Sequence, residues 1–167
     1  MFPMMVTKND MLAMVQSLYD QYNHCLDGKD LLSWPNYFTD DGLYRVTTKQ
    51  NTDNDWPLSL VLCEGKNMLE DRARILSGSV FFRDRTQQRL TTGIGILGNG
   101  IRHGDENVFS TTSLFAINES LCGQGSRLLV CGKTQDEIIY ADDRLRFKKR
   151  VFVIDADVIE DSVVYPI

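Results

Sequence analysis

The side chains able to bind soft metals are few and scattered in this sequence. Among 167 residues there are two histidines and four cysteines, at His24, Cys25, Cys63, His103, Cys122 and Cys131. A structural zinc takes four cysteine or histidine ligands, and an iron–sulfur cluster takes four thiolates or a mixture of thiolates and two imidazoles. No pair forms C-x-x-C, C-x-H or H-E-x-x-H. The sequence therefore predicts no metal or iron–sulfur centre within this chain.

His24 is the strongest candidate for a general base. An imidazole can exchange a proton near neutral pH, and a carboxylate such as Asp40 or Asp41, or a phenol, can complete an acid–base site. The candidate phenols are Tyr19, Tyr22 and Tyr44. The alternative is structural, because a cation is favourable at the C-terminal end of a helix and Asp40-Asp41-Gly42 is typical of a turn.

A G-x-G-x-x-G motif occurs at Gly93, Gly95 and Gly98. In a dinucleotide site this motif follows a strand and opens a helix whose N-terminus meets the pyrophosphate. No amphipathic helix follows Gly98, so the nucleotide interpretation is not favoured. The glycines instead predict sharp bending or a bulge in a strongly curved strand.

The formal net charge of −5 argues against nonspecific nucleic-acid binding, which depends on Lys and Arg displacing counterions from phosphates. Basic residues nevertheless concentrate at Arg83, Arg85 and Arg89, and again in the run from Arg144 to Arg150. Such runs form either solvated strand faces or contacts with an acidic partner.

Helical periodicity is the main pattern of the first half of the chain. Thr7 is a candidate N-cap, apolar residues follow at helical spacing as far as Tyr22, and Gly28 provides a C-terminal stop. A second short helix is predicted from Lys29 to Phe38, and it would bury Leu31, Leu32 and Trp34.

The second half of the chain is rich in β-type segments. Four long segments are joined by Gly/Asn or Asp/Asp turns, and they run over 88–97, 107–118, 127–140 and 144–154. In the last, alternation places Leu145, Phe147, Val151 and Val153 on one face and Arg144, Arg146, Lys148 and Arg150 on the other. Helices first and strands later predict an α+β fold, with N-terminal helices packed on a strongly curved antiparallel sheet. No linker or repeat divides residues 1–167, so we expect a single domain.

The cysteines also bear on the cellular compartment. Four cysteines in a chain that shows no signal peptide are typical of reduced cytoplasmic thiols. The apolar start is too short for the core of a signal peptide, and no run approaches the ~18 apolar residues of a membrane span. We therefore expect a cytoplasmic protein that does not enter a membrane.

Several motifs, taken in order, resemble those of a known family. They are Trp34-Pro-Asn-Tyr-Phe-Thr-Asp-Asp-Gly-Leu-Tyr-Arg45, Pro57-Leu-Ser-Leu-Val-Leu-Cys-Glu64, Met68-Leu-Glu-Asp-Arg72, Arg150-Val-Phe-Val-Ile154 and Asp161-Ser-Val-Val-Tyr-Pro-Ile167. Over nearly the whole chain they resemble the small (beta) subunit of Rieske-type aromatic-ring-hydroxylating dioxygenases, nearest to the branch that serves aromatic acids such as salicylate, anthranilate and terephthalate. One departure is that Leu90 follows Arg89, where members of the family commonly have Arg-His.

This resemblance implies the cone-shaped α+β fold shared with ketosteroid isomerase, scytalone dehydratase and nuclear transport factor two. It also implies a hexamer of three large and three small subunits, in which the large subunit holds the Rieske cluster and the mononuclear iron and hydroxylates the aromatic substrate. Electrons come from NAD(P)H through a reductase, often by way of a ferredoxin. The small subunit is then a non-catalytic, structural support with no catalytic residue, cofactor or metal of its own.

Arginine and aromatic side chains give the candidate contacts with a large subunit, because they are the usual anchors of protein interfaces. The predicted interface residues are Trp56, Arg83, Arg85, Arg89, Arg144 and Arg146. A competing hypothesis is a free-standing isomerase or dehydratase of the same fold, which would use His24 with an Asp or Tyr in the cone. A third is a ligand-binding or dimerisation module, which needs an open apolar pocket.

Overall fold

Helix α1, Lys8–Asp27, begins the described part of the chain. A computed structural model provides the fold, and it describes residues 8–78, 85–103, 106–141, 143–159 and 163–167. The predicted helical stripe is confirmed, since the buried residues of α1 are Val15, Leu18, Tyr19, Tyr22, Asn23 and Leu26. Gly28 directly follows the helix, and its N–H donates to the His24 carbonyl oxygen at 2.9 Å. The candidate cap Thr7 lies outside the described residues.

The second predicted helix is shorter and tighter than expected. Turns at residues 31–33 lead into a 3-10 helix at Trp34–Tyr37, with Pro35 in its first turn, where a missing N–H costs little. Leu31 and Trp34 are buried, but Leu32 is 62% exposed, so its predicted burial is wrong. Residues three apart lie on the same side of a 3-10 turn, which places Leu31 and Trp34 together and leaves Leu32 outside.

In the described part of the chain, six strands form one sheet, and two further helices accompany α1 and the 3-10 helix. The strands are β1 Phe38–Thr48, β2 Val61–Glu64, β3 Arg85–His103, β4 Glu106–Leu121, β5 Ser126–Ala141 and β6 Arg144–Ile154, and the helices are α2 Lys49–Asp53 and α3 Lys66–Ser77. Across the sheet the order is β2-β1-β6-β5-β4-β3. Helix α1 packs on β3 and β6, while α3 packs on β1 and β2. The predicted α+β fold is confirmed, with one hydrophobic core shared by α1, α3 and the sheet.

The sheet is mixed, whereas a wholly antiparallel one was predicted. β1 pairs with β6 in parallel, with Tyr44 opposite Arg150 and Val46 opposite Phe152. The other pairings are antiparallel. Short hairpins impose antiparallel pairing on neighbours in sequence, but β1 and β6 are separated by most of the chain, so no hairpin sets their direction.

Strand β1 contains the Asp40-Asp41-Gly42 segment that was predicted to be a turn before the strand. The pairing with β6 shifts between Phe38 and Leu43, so residues 39–42 form a bulge inside β1. A Cβ at Gly42 would lie 2.8 Å from the Thr39 carbonyl oxygen, and glycine is therefore needed for this close approach. The Asp41 carboxylate accepts a hydrogen bond from the Thr39 hydroxyl at 2.8 Å, which is the local bonding expected of a turn.

The glycine-rich motif lies within β3, as the strand interpretation predicted. Gly93 has φ of +62°, and the pairing with β4 shifts between Thr92 and Gly95 and again between Leu97 and Ile101. The strand continues to His103, so no helix follows the motif in this part of the described chain. The dinucleotide geometry is therefore not formed, and the glycines permit irregular pairing.

Strand β6 departs from simple alternation, and this moves one arginine into the core. Glu137 pairs with Lys149, but the next residue of β5, Ile138, pairs with Phe147, so Lys148 is an extra residue on β6. Beyond this bulge the buried face continues through Arg150, which is only 1% exposed. The predicted placement of Arg150 on the outer face is wrong, because an inserted residue changes the face of every residue after it.

Candidate functional site

A polar cluster lies in the interior between α1 and the sheet, which we call the cone. Thr111, Asp136 and Arg150 lie opposite one another on β4, β5 and β6. The Tyr19 hydroxyl of α1 donates to Asp136 Oδ2 at 2.6 Å and lies 2.8 Å from the Thr111 hydroxyl. Burial raises the pKa of Asp136 above its usual 3.8, although the charge of Arg150 opposes that effect.

Aromatic rings surround the Arg150 guanidinium. Its central carbon, Cζ, lies 4.1 Å from the ring centroid of Tyr22, 4.2 Å from Phe147, 4.7 Å from Tyr19 and 4.8 Å from Phe152. Cation–π attraction acts within about 6 Å of a ring centroid and is strongest where water is excluded. We call these four rings the aromatic cage.

The ion pair inside the cage is loose. Arg150 Nη1 lies 3.8 Å from Asp136 Oδ2, both side chains are at most 1% exposed, and the atoms are too far apart for a direct hydrogen bond. Within the part of the chain that the structure describes, Arg150 Nε, Arg150 Nη1 and Asp136 Oδ1 have no hydrogen-bond partner. Charge and ring faces therefore hold the guanidinium, without the paired hydrogen bonds of an ordinary arginine–carboxylate contact.

Residues 163–167, which we call the closing segment, seal one side of the cone. Arg89 donates to the Pro166 carbonyl oxygen from Nε at 3.2 Å and from Nη2 at 2.5 Å. The Tyr22 hydroxyl donates to the Ile167 carbonyl oxygen at 2.7 Å, and the Ile167 N–H donates to the Tyr44 hydroxyl at 2.8 Å. Ile167 is only 2% exposed, so the segment forms part of the core.

The tyrosines of the cone are poorly suited to proton transfer at neutral pH. Burial raises the pKa of Tyr22 to about 12, and it raises the pKa values of Tyr19 and Tyr44 further above the usual 10. Each hydroxyl is already engaged by groups of this chain, as described above. The interior is thus filled by the protein's own side chains, the largest of which are less than 2% exposed: Trp34, Arg150, Tyr19, Tyr22, Tyr44, Phe38, Phe147 and Phe152.

The structure does not bring the predicted acid–base residues together. His24 lies on the exposed face of α1, where its Nδ1 is 2.7 Å from the Asp20 carbonyl oxygen. Asp40 and Asp41 are exposed in the β1 bulge, whereas the candidate phenols are buried or hydrogen-bonded in the cone. The isomerase or dehydratase hypothesis therefore lacks its proposed base. His24 lies in the last turn of α1, which is the position that the structural alternative predicted for it.

The predicted interface residues fall into three groups. Trp56 is 45% exposed, Arg144 is exposed and Arg146 is half-buried. Arg85 and Arg89 are each only 8% exposed and have partners within this chain. Arg83 lies outside the described residues. Trp56 and Arg144 are thus the members of this set that the isolated chain presents most openly.

Arg144 borders an open cleft between α1, the 3-10 helix and the start of β6. The cleft has a volume of about 380 Å³, and both apolar and polar side chains line it, including Met14, Leu18, Gln21 and Tyr37. Its lining contains no carboxylate and no histidine among the described residues. It therefore has no acid–base pair of the kind predicted around His24.

An apolar stripe that sequence reasoning missed begins at Trp56. Every second residue from Trp56 to Leu62 is exposed, along the chain that leads into the edge strand β2, with values of 45% for Trp56, 58% for Leu58, 49% for Leu60 and 42% for Leu62. The Leu60 N–H donates to the Val46 carbonyl oxygen at 2.8 Å, so pairing with β1 extends beyond β2. The alternation W-x-L-x-L-x-L is visible in the sequence, but it does not show which face is buried.

The described residues contain no group of three or more His, Cys, Asp or Glu side chains that could hold a metal ion. Cys63 is buried, Cys122 is exposed, and Cys25 and Cys131 are partly buried, each of them a free thiol. Burial raises the pKa of Cys25 to about 11, which keeps its thiol protonated and weakly nucleophilic. In the described part of the chain, no helix is long and apolar enough to cross a membrane.

Known proteins provide an independent comparison. The chain is 27% identical over 153 residues to the anthranilate 1,2-dioxygenase small subunit of Burkholderia cepacia, covering 92% of each chain. It is 25% identical over 146 residues to a beta subunit of the terminal oxygenase component of terephthalate 1,2-dioxygenase from a Comamonas species, covering 87% of this chain and 92% of that one. No protein-family model matches the chain.

Solved structures agree with these relatives. A protein of Novosphingobium aromaticivorans, assigned as the beta subunit of an aromatic-ring-hydroxylating dioxygenase, matches with a TM-score of 0.80 and 26% identity, over 93% of this chain and 95% of that one. A protein of the same organism assigned as a scytalone dehydratase matches with a TM-score of 0.65 and 13% identity, over 94% and 93%, which is a likeness of fold. This chain is a homologue of the small (beta) subunits of aromatic-ring-hydroxylating dioxygenases.

Proposed function

We propose that this chain is a non-catalytic, structural subunit of an aromatic-ring-hydroxylating oxygenase. The observation that carries the proposal is the homology to the anthranilate 1,2-dioxygenase small subunit, which extends over 92% of both chains. The filled cone supports it, since an interior occupied by Arg150 and the closing segment offers little room for a substrate. The names of the relatives favour an aromatic acid as the substrate of the whole enzyme.

The partner in this proposal is an iron-containing large subunit, in a hexamer of three large and three small chains. That subunit would hold the Rieske cluster and the mononuclear iron, and electrons from NAD(P)H would reach it through a reductase, in some systems by way of a ferredoxin. The scattered, free cysteines of the described chain fit a support role in a reducing cytoplasm, because thiols stay reduced there.

The apolar stripe of Trp56, Leu58, Leu60 and Leu62 is the surface that we assign to the large subunit. Large exposed apolar patches mark interaction sites, and a tryptophan is a common anchor within them. The backbone beneath the stripe is fixed, because Arg45 donates to the Ser59 hydroxyl at 2.8 Å and to the Leu58 carbonyl oxygen at 3.0 Å. A fixed backbone lowers the entropy lost on binding. Arg144, which is exposed, and Arg146, which is half-buried, stay predicted contacts with the large subunit.

Affinity purification of this chain from its own cells tests the proposal. The expected result is a stable complex with a chain that contains C-x-H and C-x-x-H motifs and binds iron, because these motifs supply the two Cys and two His of a Rieske centre. Recovery of this chain alone, with isomerase or dehydratase activity of its own, would contradict the proposal.

A further inference from the structure

We propose that the aromatic cage is a binding site for a guanidinium cation, occupied in this protein by the chain's own Arg150. The site consists of the four rings of Tyr19, Tyr22, Phe147 and Phe152, with the Asp136 carboxylate beside them. Shortening Arg150 would make the cone accept a small, planar alkylguanidinium from solution. This inference does not depend on the proposed oxygenase role.

The cage is shaped for a planar, weakly hydrated cation. All four ring centroids lie within 4.8 Å of Arg150 Cζ, and rings at this distance attract a cation through their negative faces. A guanidinium can stack on aromatic faces and sheds water more readily than an ammonium group. The site therefore favours a guanidinium over a compact ammonium ion.

The carboxylate of the site is positioned independently of Arg150. The Tyr19 hydroxyl donates to Asp136 Oδ2 at 2.6 Å, and the same hydroxyl is 2.8 Å from the Thr111 hydroxyl. These contacts connect α1, β4 and β5, none of which contains Arg150. The carboxyl group would thus keep its position after the arginine side chain is removed, and a bound cation would restore the charge that opposes the effect of burial.

The contacts that hold the Arg150 guanidinium are ones that a free guanidinium could also make. Its Nη1 is 3.8 Å from Asp136 Oδ2, and neither Nε nor Nη1 has a hydrogen-bond partner among the described residues. The interactions that the structure shows are thus made to the charge and planar faces of the guanidinium. A free guanidinium presents the same charge and faces, and it can turn to bring an N–H closer to the carboxylate.

The test uses the full chain carrying Arg150→Ala, with methylguanidinium chloride as the probe. At about 20 mM, a ligand of about 1 mM affinity for the folded state alone would raise Tm by ~4–7 °C. Circular dichroism follows the thermal unfolding. Urea at the same concentration is the control for shape without charge, and sodium chloride is the control for ionic strength. Neither control is expected to raise Tm.

Matched variants separate the cage from a general effect of the probe. Arg144→Ala shortens an exposed arginine on the same strand, and like the unaltered chain it should show no rise in Tm. Arg150→Ala combined with Asp136→Asn should lose most of the response, because the carboxylate is gone. An equal response in Arg144→Ala, or no response in a folded Arg150→Ala, would overturn the proposal.

A second variant covers the case in which Arg150→Ala does not fold. Arg150→Met fills the cage with an uncharged chain and should give soluble protein that ignores the probe. The yield of soluble Arg150→Ala after refolding is then compared with methylguanidinium and with urea. A yield several-fold higher with methylguanidinium supports the site, and equal yields in the two solutions contradict it.

Discussion

Glu119 is a fully buried carboxylate on β4, and two arginines neutralise it. Arg85 Nη1 lies 2.9 Å from Oε1 and Arg127 Nη2 lies 2.8 Å from Oε2, while Gln87 donates to Oε1 at 3.1 Å. Burial alone would raise the pKa of Glu119, but these hydrogen bonds and charges outweigh it and lower the pKa below the usual 4.5. The Glu119 carboxylate therefore stabilises the folded chain only while it is ionised.

Glu119→Gln should reduce the free energy of unfolding by about 1–3 kcal/mol at pH 7, because it removes charge-assisted hydrogen bonds in a buried position. A folded-state pKa below 4.5 means that this stability is fully present above pH 4.5 and is lost as pH falls through the lowered pKa. Urea denaturation at a series of pH values should show the two proteins converging in acid. Glu137→Gln, at an exposed pair with Lys149, is the control and should change stability little.

His24→Ala tests the catalytic interpretation at the same scale. Since His24 is exposed at the end of α1, its loss should cost less than ~1 kcal/mol and leave both complex formation and ring hydroxylation unchanged. Turnover by the purified complex and a thermal melt measure the two effects. A large fall in turnover with an unchanged melting curve would restore His24 as a candidate base.

At the scale of elements, the closing segment is held by one side chain above all. Arg89 joins it to α1, since its Nη1 lies 2.5 Å from Asp27 Oδ1 while its Nε and Nη2 donate to the Pro166 carbonyl oxygen. Arg72 of α3 adds a bond from Nη2 to the Val164 carbonyl oxygen at 2.9 Å. The sequence motif that ends in Pro166 and Ile167 is thus explained by contacts within this chain.

Arg89→Ala should destabilise the chain by about 3–5 kcal/mol, because it removes the charge that pairs with Asp27 and leaves the Pro166 carbonyl oxygen without its side-chain donor. Hydrogen exchange should become faster in the closing segment first, since its anchoring bonds are lost. Arg74→Ala is the matched control: Arg74 is exposed and pairs with Asp71 on α3, so its removal should cost ~0.5 kcal/mol or less. Equal effects of the two substitutions would contradict this role of Arg89.

The apolar stripe gives a prediction about assembly. Leu60→Asp should leave the isolated chain folded, because Leu60 is 49% exposed, but should greatly reduce recovery of the proposed large subunit in affinity purification. Leu128→Asp, at a 56% exposed position on β5, is the control and should retain the partner. If Leu128→Asp releases the partner and Leu60→Asp does not, the interface lies on the other half of the sheet and the assignment of the stripe is wrong.

Local patterns predicted most elements, and the exceptions have local causes. The spacing of apolar residues predicted α1, and alternation predicted the long strands, because burial of one face imposes a period on the sequence. The extra residue Lys148 could not be predicted in this way, since a bulge leaves no fixed signature in a single sequence. That one residue decides whether Arg150 faces solvent or the cone.

At the scale of the whole molecule, the order of helices before strands predicted the α+β architecture, and the ordered motifs predicted the family. The parallel pairing of β1 with β6 was not predictable, because it joins distant parts of the chain. The set of side chains that fills the cone was also not predictable from the sequence. They depend on contacts between α1, β5, β6 and the closing segment, such as the bond from Tyr19 to Asp136.

The proposed role of this chain is to support an iron-containing partner, and the mass of the native complex tests that role most directly. Native mass spectrometry of the complex, purified through a tag on this chain, should give equal numbers of small and large chains in a hexamer. The iron should remain with the large chains when the complex is dissociated. A complex that contains only this chain, with no second subunit and no iron, would contradict the account.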